Sequence, residues 1–124
     1  MMNKIQLEKN NDQLIVYFSG EIDSMNTVNY RNLLVAELET GKYKIVIMDF
    51  NRVSFIDSSG IGLVLGRYNQ IKAMDGHLYI TGFSAVAYRL FELTGIFKLM
   101  DYIKNVDEIL VKVGEHNESD EDSM

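Results

Sequence analysis

The chain has 124 residues, 47% of them hydrophobic and 24% charged, which is the composition of one globular domain and too little length for two cores. It contains no cysteine, which excludes disulfides, thiolate metal sites and cysteine nucleophiles, and no apolar run long enough to span a bilayer. Twelve basic residues face 18 acidic ones for a net charge of −6, but Glu115, Glu118, Asp120, Glu121 and Asp122 crowd the last ten positions.

Residues 1–114 are therefore nearly neutral, with 12 bases against 13 acids, and 115–124 read as a solvated acidic tail. No basic stripe stands out, so nucleic acid is disfavoured as a partner. The opening stretch MMNKIQLEKNND lacks the apolar centre of a signal peptide, and the expected location is cytoplasmic.

In chain order, Lys4 to Glu8 alternates, with Ile5 and Leu7 on one side, and predicts a short strand. Asn10-Asn11-Asp12 is a turn, and Gln13 to Ser19 a β-branched and aromatic second strand that pairs with the first as a hairpin and ends at Gly20. Asp23 or Ser24 caps a helix to about Glu39, with Val28, Leu34, Val35 and Leu38 inward and Gly41 closing it. Lys44 to Phe50 is an apolar run of strand length, as expected where both sheet faces are covered, and Phe55-Ile56 extends the sheet.

Asp57-Ser58-Ser59 then opens a helix to about Met74, with Ile61, Val64, Leu65, Tyr68 and Ile71 at helical spacing. Leu78 to Thr81 is a strand, Ala85 to Leu93 a helix stopped by Gly95, and Leu99 to Ile103 a short extended piece. Asn105 caps a last helix whose Val106, Ile109, Leu110 and Val113 form one stripe. The order predicts an α/β domain over 1–114: a small mixed sheet of about four or five strands with an N-terminal hairpin, and about four helices mainly on one face.

Chemistry concentrates in Phe50 to Tyr68. Gly60, Gly62 and Gly66 approach a dinucleotide fingerprint, but their spacing is off by one, they fall inside the helix, and no ribose-binding acid follows the next strand. A serine nucleophile at Ser58 or Ser59 would lack both the elbow motif and a base, since the two histidines, His77 and His116, lie far off in sequence. No His/Asp/Glu set has metal-ligand spacing. Spacing leaves two readings open. Asp57-Ser58-Ser59 is a plain helix cap, or one of its serines receives a phosphate that the helix N-terminus tolerates and a partner does not.

Phe55-Ile56-Asp57-Ser58-Ser59-Gly60-Ile61-Gly62 resembles the D-S-[ST]-G-[LI]-G signature of the STAS domain, in the branch of bacterial anti-anti-sigma factors. Gly66 to Lys72 is similar to the following helix in the sporulation sigma-F branch, Gly20-Glu21-Ile22-Asp23 to the family's G-E-[LI]-D turn, and Ala87 to Asp101 to its C-terminal segment. The likeness is collinear from about residue 3 to 113 and departs at Ser24-Met25-Asn26-Thr27, where the sporulation branch often carries histidines.

The resemblance implies a switch protein and not an enzyme. Unphosphorylated, it would bind an anti-sigma factor that is itself a serine kinase and free the sigma factor. Phosphorylation of Ser58 would end binding, and a PP2C-type phosphatase would restore it. Asp23, Asp57, Ser59, Gly60, Gly62, Leu63, Gly66 and Arg67 would form the partner surface, with Asp57 orienting the acceptor hydroxyl. ATP and Mg²⁺ would belong to the kinase, and the free chain is expected to be a monomer. A scaffold-type or regulatory STAS module for a different sigma-factor or stress-signalling partner is the alternative.

Overall fold

The computed structural model describes residues 2–109. Its elements in chain order are β1 (Lys4–Asn10), β2 (Gln13–Ile22), α1 (Thr27–Thr40), β3 (Ile45–Ile56), α2 (Ser58–Ala73), β4 (His77–Thr81), α3 (Ala85–Leu93), a 3₁₀ turn (Ile96–Lys98) and β5 (Asp101–Tyr102). The five strands lie side by side in sequence order. β1 is antiparallel to β2, and the β2–β3, β3–β4 and β4–β5 pairs are parallel. The expected mixed sheet with an N-terminal hairpin is present.

The hairpin turns tightly because Asn11 takes φ 57°, a left-handed conformation that asparagine tolerates better than most residues. Each parallel pair needs a crossover, and α1, α2 and α3 supply them on one face. There Leu14, Val16 and Phe18 of β2 and Val46, Met48 and Phe50 of β3 meet Leu34 and Leu38 of α1, Leu63, Val64 and Ile71 of α2, and Phe91 of α3. Alternate strand residues Ile15 and Ile47 point to the other face and pack against Ile103 and Ile109. A helical turn over 106–109 covers that face, capped by Asn105, whose side-chain oxygen accepts the Glu108 N–H at 3.0 Å. Leu110 and Val113 of the expected stripe, and the acidic tail, lie outside the described residues.

Three expectations need correction. β2 does not stop at Gly20 but runs through it to Ile22: the glycine takes φ 84° beside a register shift, so the strand bulges and continues. α1 begins at Thr27, not after Asp23 or Ser24, and buries Thr27, Tyr30, Leu34 and Leu38. Val28 is 58% exposed and Leu65 of α2 is 37% exposed, so neither is a core residue.

Candidate functional site

The bulge and the length of β3 decide where the site forms. β4 pairs only with Ile45–Asp49, but β3 continues to Ile56 alongside the far end of β2, with Ile22 opposite Ile56. Both strands therefore end together, and their following loops meet. The Asp57 N–H donates to the Ile22 carbonyl at 3.1 Å. The crevice at the carboxyl ends of parallel strands is where open α/β sheets place their sites.

Asp23 shapes the first loop. Its carboxylate accepts the N–H groups of Met25 and Asn26 at 3.0 and 3.2 Å, and the Asn26 side chain returns bonds to the Asp23 N–H and the Glu21 carbonyl. This closed turn leaves Met25 86% exposed at its tip. Asp23 thus holds the turn from within.

In the second loop Asp57 is the N-cap of α2, its carboxylate accepting the Ser59 N–H at 2.8 Å and the Ser59 hydroxyl. The Ser59 hydroxyl, chiefly, together with the backbone N–H groups of Ser59, Ser24 and Gly60, holds the Asp57 carboxyl below its ordinary value against partial desolvation. The Asp57 N–H bond to the Ile22 carbonyl already joins the two loops, and the Ser24 amide lies near enough to the same carboxylate to help lower its pKa. Asp57 therefore orients Ser59, not Ser58 as the resemblance implied. Ser58, the first helical residue, is exposed, and its hydroxyl has no partner among the described residues.

Asp57→Ala is expected to cost about 1 kcal/mol of stability, as for other lost N-caps, read as a fall of roughly 4–8 °C in Tm. Because the native carboxyl titrates low, this contribution is complete above about pH 4 and is lost as pH falls through the lowered native value. Melting curves of the wild type and the variant should converge in acid. Curves that stay parallel there would contradict the assignment.

Along α2 the expected partner residues separate into two groups. Gly60, Leu63 and Arg67 are buried and lie on the core side of the helix. A Cβ at Gly60 would stand 2.6 Å from Ile56 Cδ1, so glycine there lets α2 start flush against the end of β3. Leu63 is a core residue, and only the edge of its side chain reaches the floor of the groove between α1 and α2. A Cβ at Gly62 or Gly66 would meet nothing within 4 Å, so these two, one turn apart, leave an open backbone strip. Gly62, Gly66, Ser59 and Arg67 line a groove of about 350 Å³ whose other wall is Thr27, Val28 and Arg31 of α1.

Met25, Val28 and Arg31 were missed as site residues. The signal available in the sequence was Val28 standing off the Tyr30, Leu34, Leu38 stripe. Among the described residues no cluster of His, Asp and Glu could hold a metal ion, and His77 lies elsewhere, bonded to Asp101 at 3.0 Å. No helix among them is long and apolar enough to cross a membrane.

The family model described as the STAS domain matches residues 4–109. The chain is 28% identical over 102 residues to the anti-sigma F factor antagonist of Paenibacillus polymyxa, covering 82% of this chain and 87% of that one. It is 32% identical over 101 residues to the anti-sigma-B factor antagonist of Listeria monocytogenes, covering 81% and 86%. Among solved structures, the unphosphorylated anti-sigma factor antagonist SpoIIAA matches with a TM-score of 0.79 at 27% identity, over 90% of this chain and 97% of that one. The phosphorylated form of SpoIIAA, a Bacillus cell fate determinant, matches with a TM-score of 0.72 at 28% identity, over 89% and 99%.

Proposed function

The chain belongs to the STAS-domain family, and from that premise we propose that it is an anti-sigma factor antagonist switched off by a phosphate on Ser58. It is a regulator and not an enzyme. The observation that carries the switch is the contrast between adjacent serines. The Ser59 hydroxyl is held by Asp57, whereas Ser58 presents an exposed, unengaged hydroxyl at the first position of α2. A kinase can take the second into its active site without breaking the cap.

The unphosphorylated chain binds an anti-sigma factor that is also a serine kinase, and so frees the sigma factor. The kinase brings ATP and Mg²⁺ and acts in the cytoplasm, where the free chain is a monomer. A phosphoserine adds a charge of about −1.5 to −2 beside Asp57, in the middle of the docking surface, while the helix N-terminus accommodates that charge within the fold. A PP2C-type phosphatase resets the switch. SpoIIAA, solved in both phosphorylation states, supports a phosphate cycle on this fold.

The sigma factor released is of the sigma-F type, a reading that the likeness of Gly66 to Lys72 to that branch supports, and the chain then acts in sporulation control. The 32% identity to a sigma-B antagonist favours a second reading, a stress-response partner on the same switch. Incubation with sigma-F and sigma-B type anti-sigma kinases and ATP, followed by intact-mass spectrometry and site mapping, decides between them. One phosphate on Ser58 and loss of the complex are expected with the cognate kinase. Ser59→Ala should retain the label, because its hydroxyl is engaged by Asp57; loss of labelling with the fold intact would move the acceptor to Ser59.

A further inference from the structure

Two arginines face the same groove, and neither has a hydrogen-bond or ion-pair partner among the described residues. Arg67 of α2 is only 6% exposed, and its Nε and Nη1 are buried without an acceptor. Arg31 stands exposed on the α1 wall. Burial, and after it the like charge of Arg31, pushes the Arg67 pKa down, yet a guanidinium stays protonated at any ordinary pH. A cation with spare donors is thus buried at a position where the helix otherwise carries Leu63, Val64 and Ile71.

Methionine or leucine would fill this site without the cost of desolvating an unpaired charge. Donors left without an acceptor are instead matched to an oxyanion, which the Arg67 and Arg31 guanidinium groups can share through charge-assisted hydrogen bonds, and on an unmodified protein segment that oxyanion is a carboxylate. The groove's rim identifies the source. Gly62 and Gly66 leave the α2 backbone bare, and Val28 opposite is an exposed apolar contact. A small free anion uses neither, whereas a segment of another protein packs closely against both.

We propose that Arg31 and Arg67 form a carboxylate-binding site in the α1–α2 groove, which receives an Asp or Glu side chain of the protein partner. The location rests on the preceding reading that the partner docks at this end of α2; the anion chemistry does not. The site lies on the flank of the helix, so it is distinct from the Ser58 end where the phosphate arrives. It anchors the complex by attraction, and the phosphate ends it by repulsion.

Sodium acetate, titrated against sodium chloride at equal ionic strength, is the probe for the site by itself. The Arg67 Nε–Hε resonance should shift saturably in the wild type and not in Arg31→Gln. Absence of a saturable shift overturns the proposal. Inorganic phosphate saturating the same site far below the acetate concentration overturns the choice of a carboxylate. In the complex, Arg67→Met should keep or raise Tm yet lower affinity for the anti-sigma kinase by about tenfold or more, and Arg31→Gln, which disturbs no core contact, should do the same. One carboxylate-to-amide change on the partner should reproduce the loss and add nothing to it in combination. Arginine variants binding within about twofold of wild type, while Ser58→Asp does not bind, would overturn the anchor and leave the switch standing. A wild type that binds no anti-sigma kinase would remove the switch, and the acetate titration would still decide the site.

Discussion

Ser58→Asp is expected to weaken binding to the anti-sigma factor by about a hundredfold or more, roughly 2.7 kcal/mol, with Tm changed by no more than a few degrees. Two opposite effects of one charge produce this split. Within the domain, a carboxylate at the first position of α2 lies at the positive end of the helix dipole, a placement that contributes about 0.3–1 kcal/mol in favour of folding. Across an interface the same charge is desolvated beside Asp57, a carboxylate already held ionised. Ser58→Ala should bind like the wild type and resist dissociation when ATP is added. Binding isotherms and melting curves on the same samples test both halves. Tight binding by Ser58→Asp, or loss of binding only because the domain has melted, would contradict the electrostatic switch.

Phe91→Ala is expected to remove about 3–5 kcal/mol of stability, a large share of the roughly 5–15 kcal/mol that holds a domain of this size. α3 buries only Ala87 and Phe91, so Phe91 is its main core contact, while Tyr88 packs outside the core on Phe97 and Tyr102. The Phe91 ring is fully enclosed, with its centroid 4.3 Å from Phe83, which itself lies 4.6 Å from Phe50. Deleting it opens a void that rings in a pleated sheet cannot close by small shifts. Tm should fall by well over 10 °C in calorimetry. A fall of only a few degrees would show that α3 is held by something else.

How far the sequence announced these features depended on whether the deciding contacts were local. α3 was legible from Ala85 to Leu93, because Ser84 caps it through the Ala87 N–H and the core residues keep helical spacing. The start of α1 was not. Asp23 and Ser24 have the chemistry of caps, but Asp23 spends its carboxylate on Met25 and Asn26 inside a closed turn, and the helix waits until Thr27. Arg67 was read as surface because arginine usually is, and only the packing of α1 against α2 puts it inside.

The D-S-S-G stretch was recognisable as a motif, and its likeness selected Ser58. The physical difference between Ser58 and Ser59 was invisible. It depends on how the first turn of α2 aims Ser59 at Asp57, which in turn depends on where β3 ends beside β2. Gly60, Leu63 and Arg67 stand close in sequence to Gly62 and Gly66, yet the helix buries the first three, Gly60 against Ile56, and Leu63 and Arg67 at the groove that Gly62 and Gly66 also line.

The overrun of β3 past β4 also has a consequence for self-association. Residues 50–56 have a strand neighbour on one side only; on the other the Asn51 N–H is taken by the Asp49 carboxylate and Gly82 lies against Asn51, so among the described residues another chain could extend that edge only farther along, over 52–56. The chain has no proline with which to block it. The irregular β2–β3 register near Arg52, and the charge of Arg52 itself, interrupt that edge and discourage a second copy from adding a regular strand. Arg52→Val would leave the core untouched, and its cost would appear as aggregation in concentrated solution with no change in Tm.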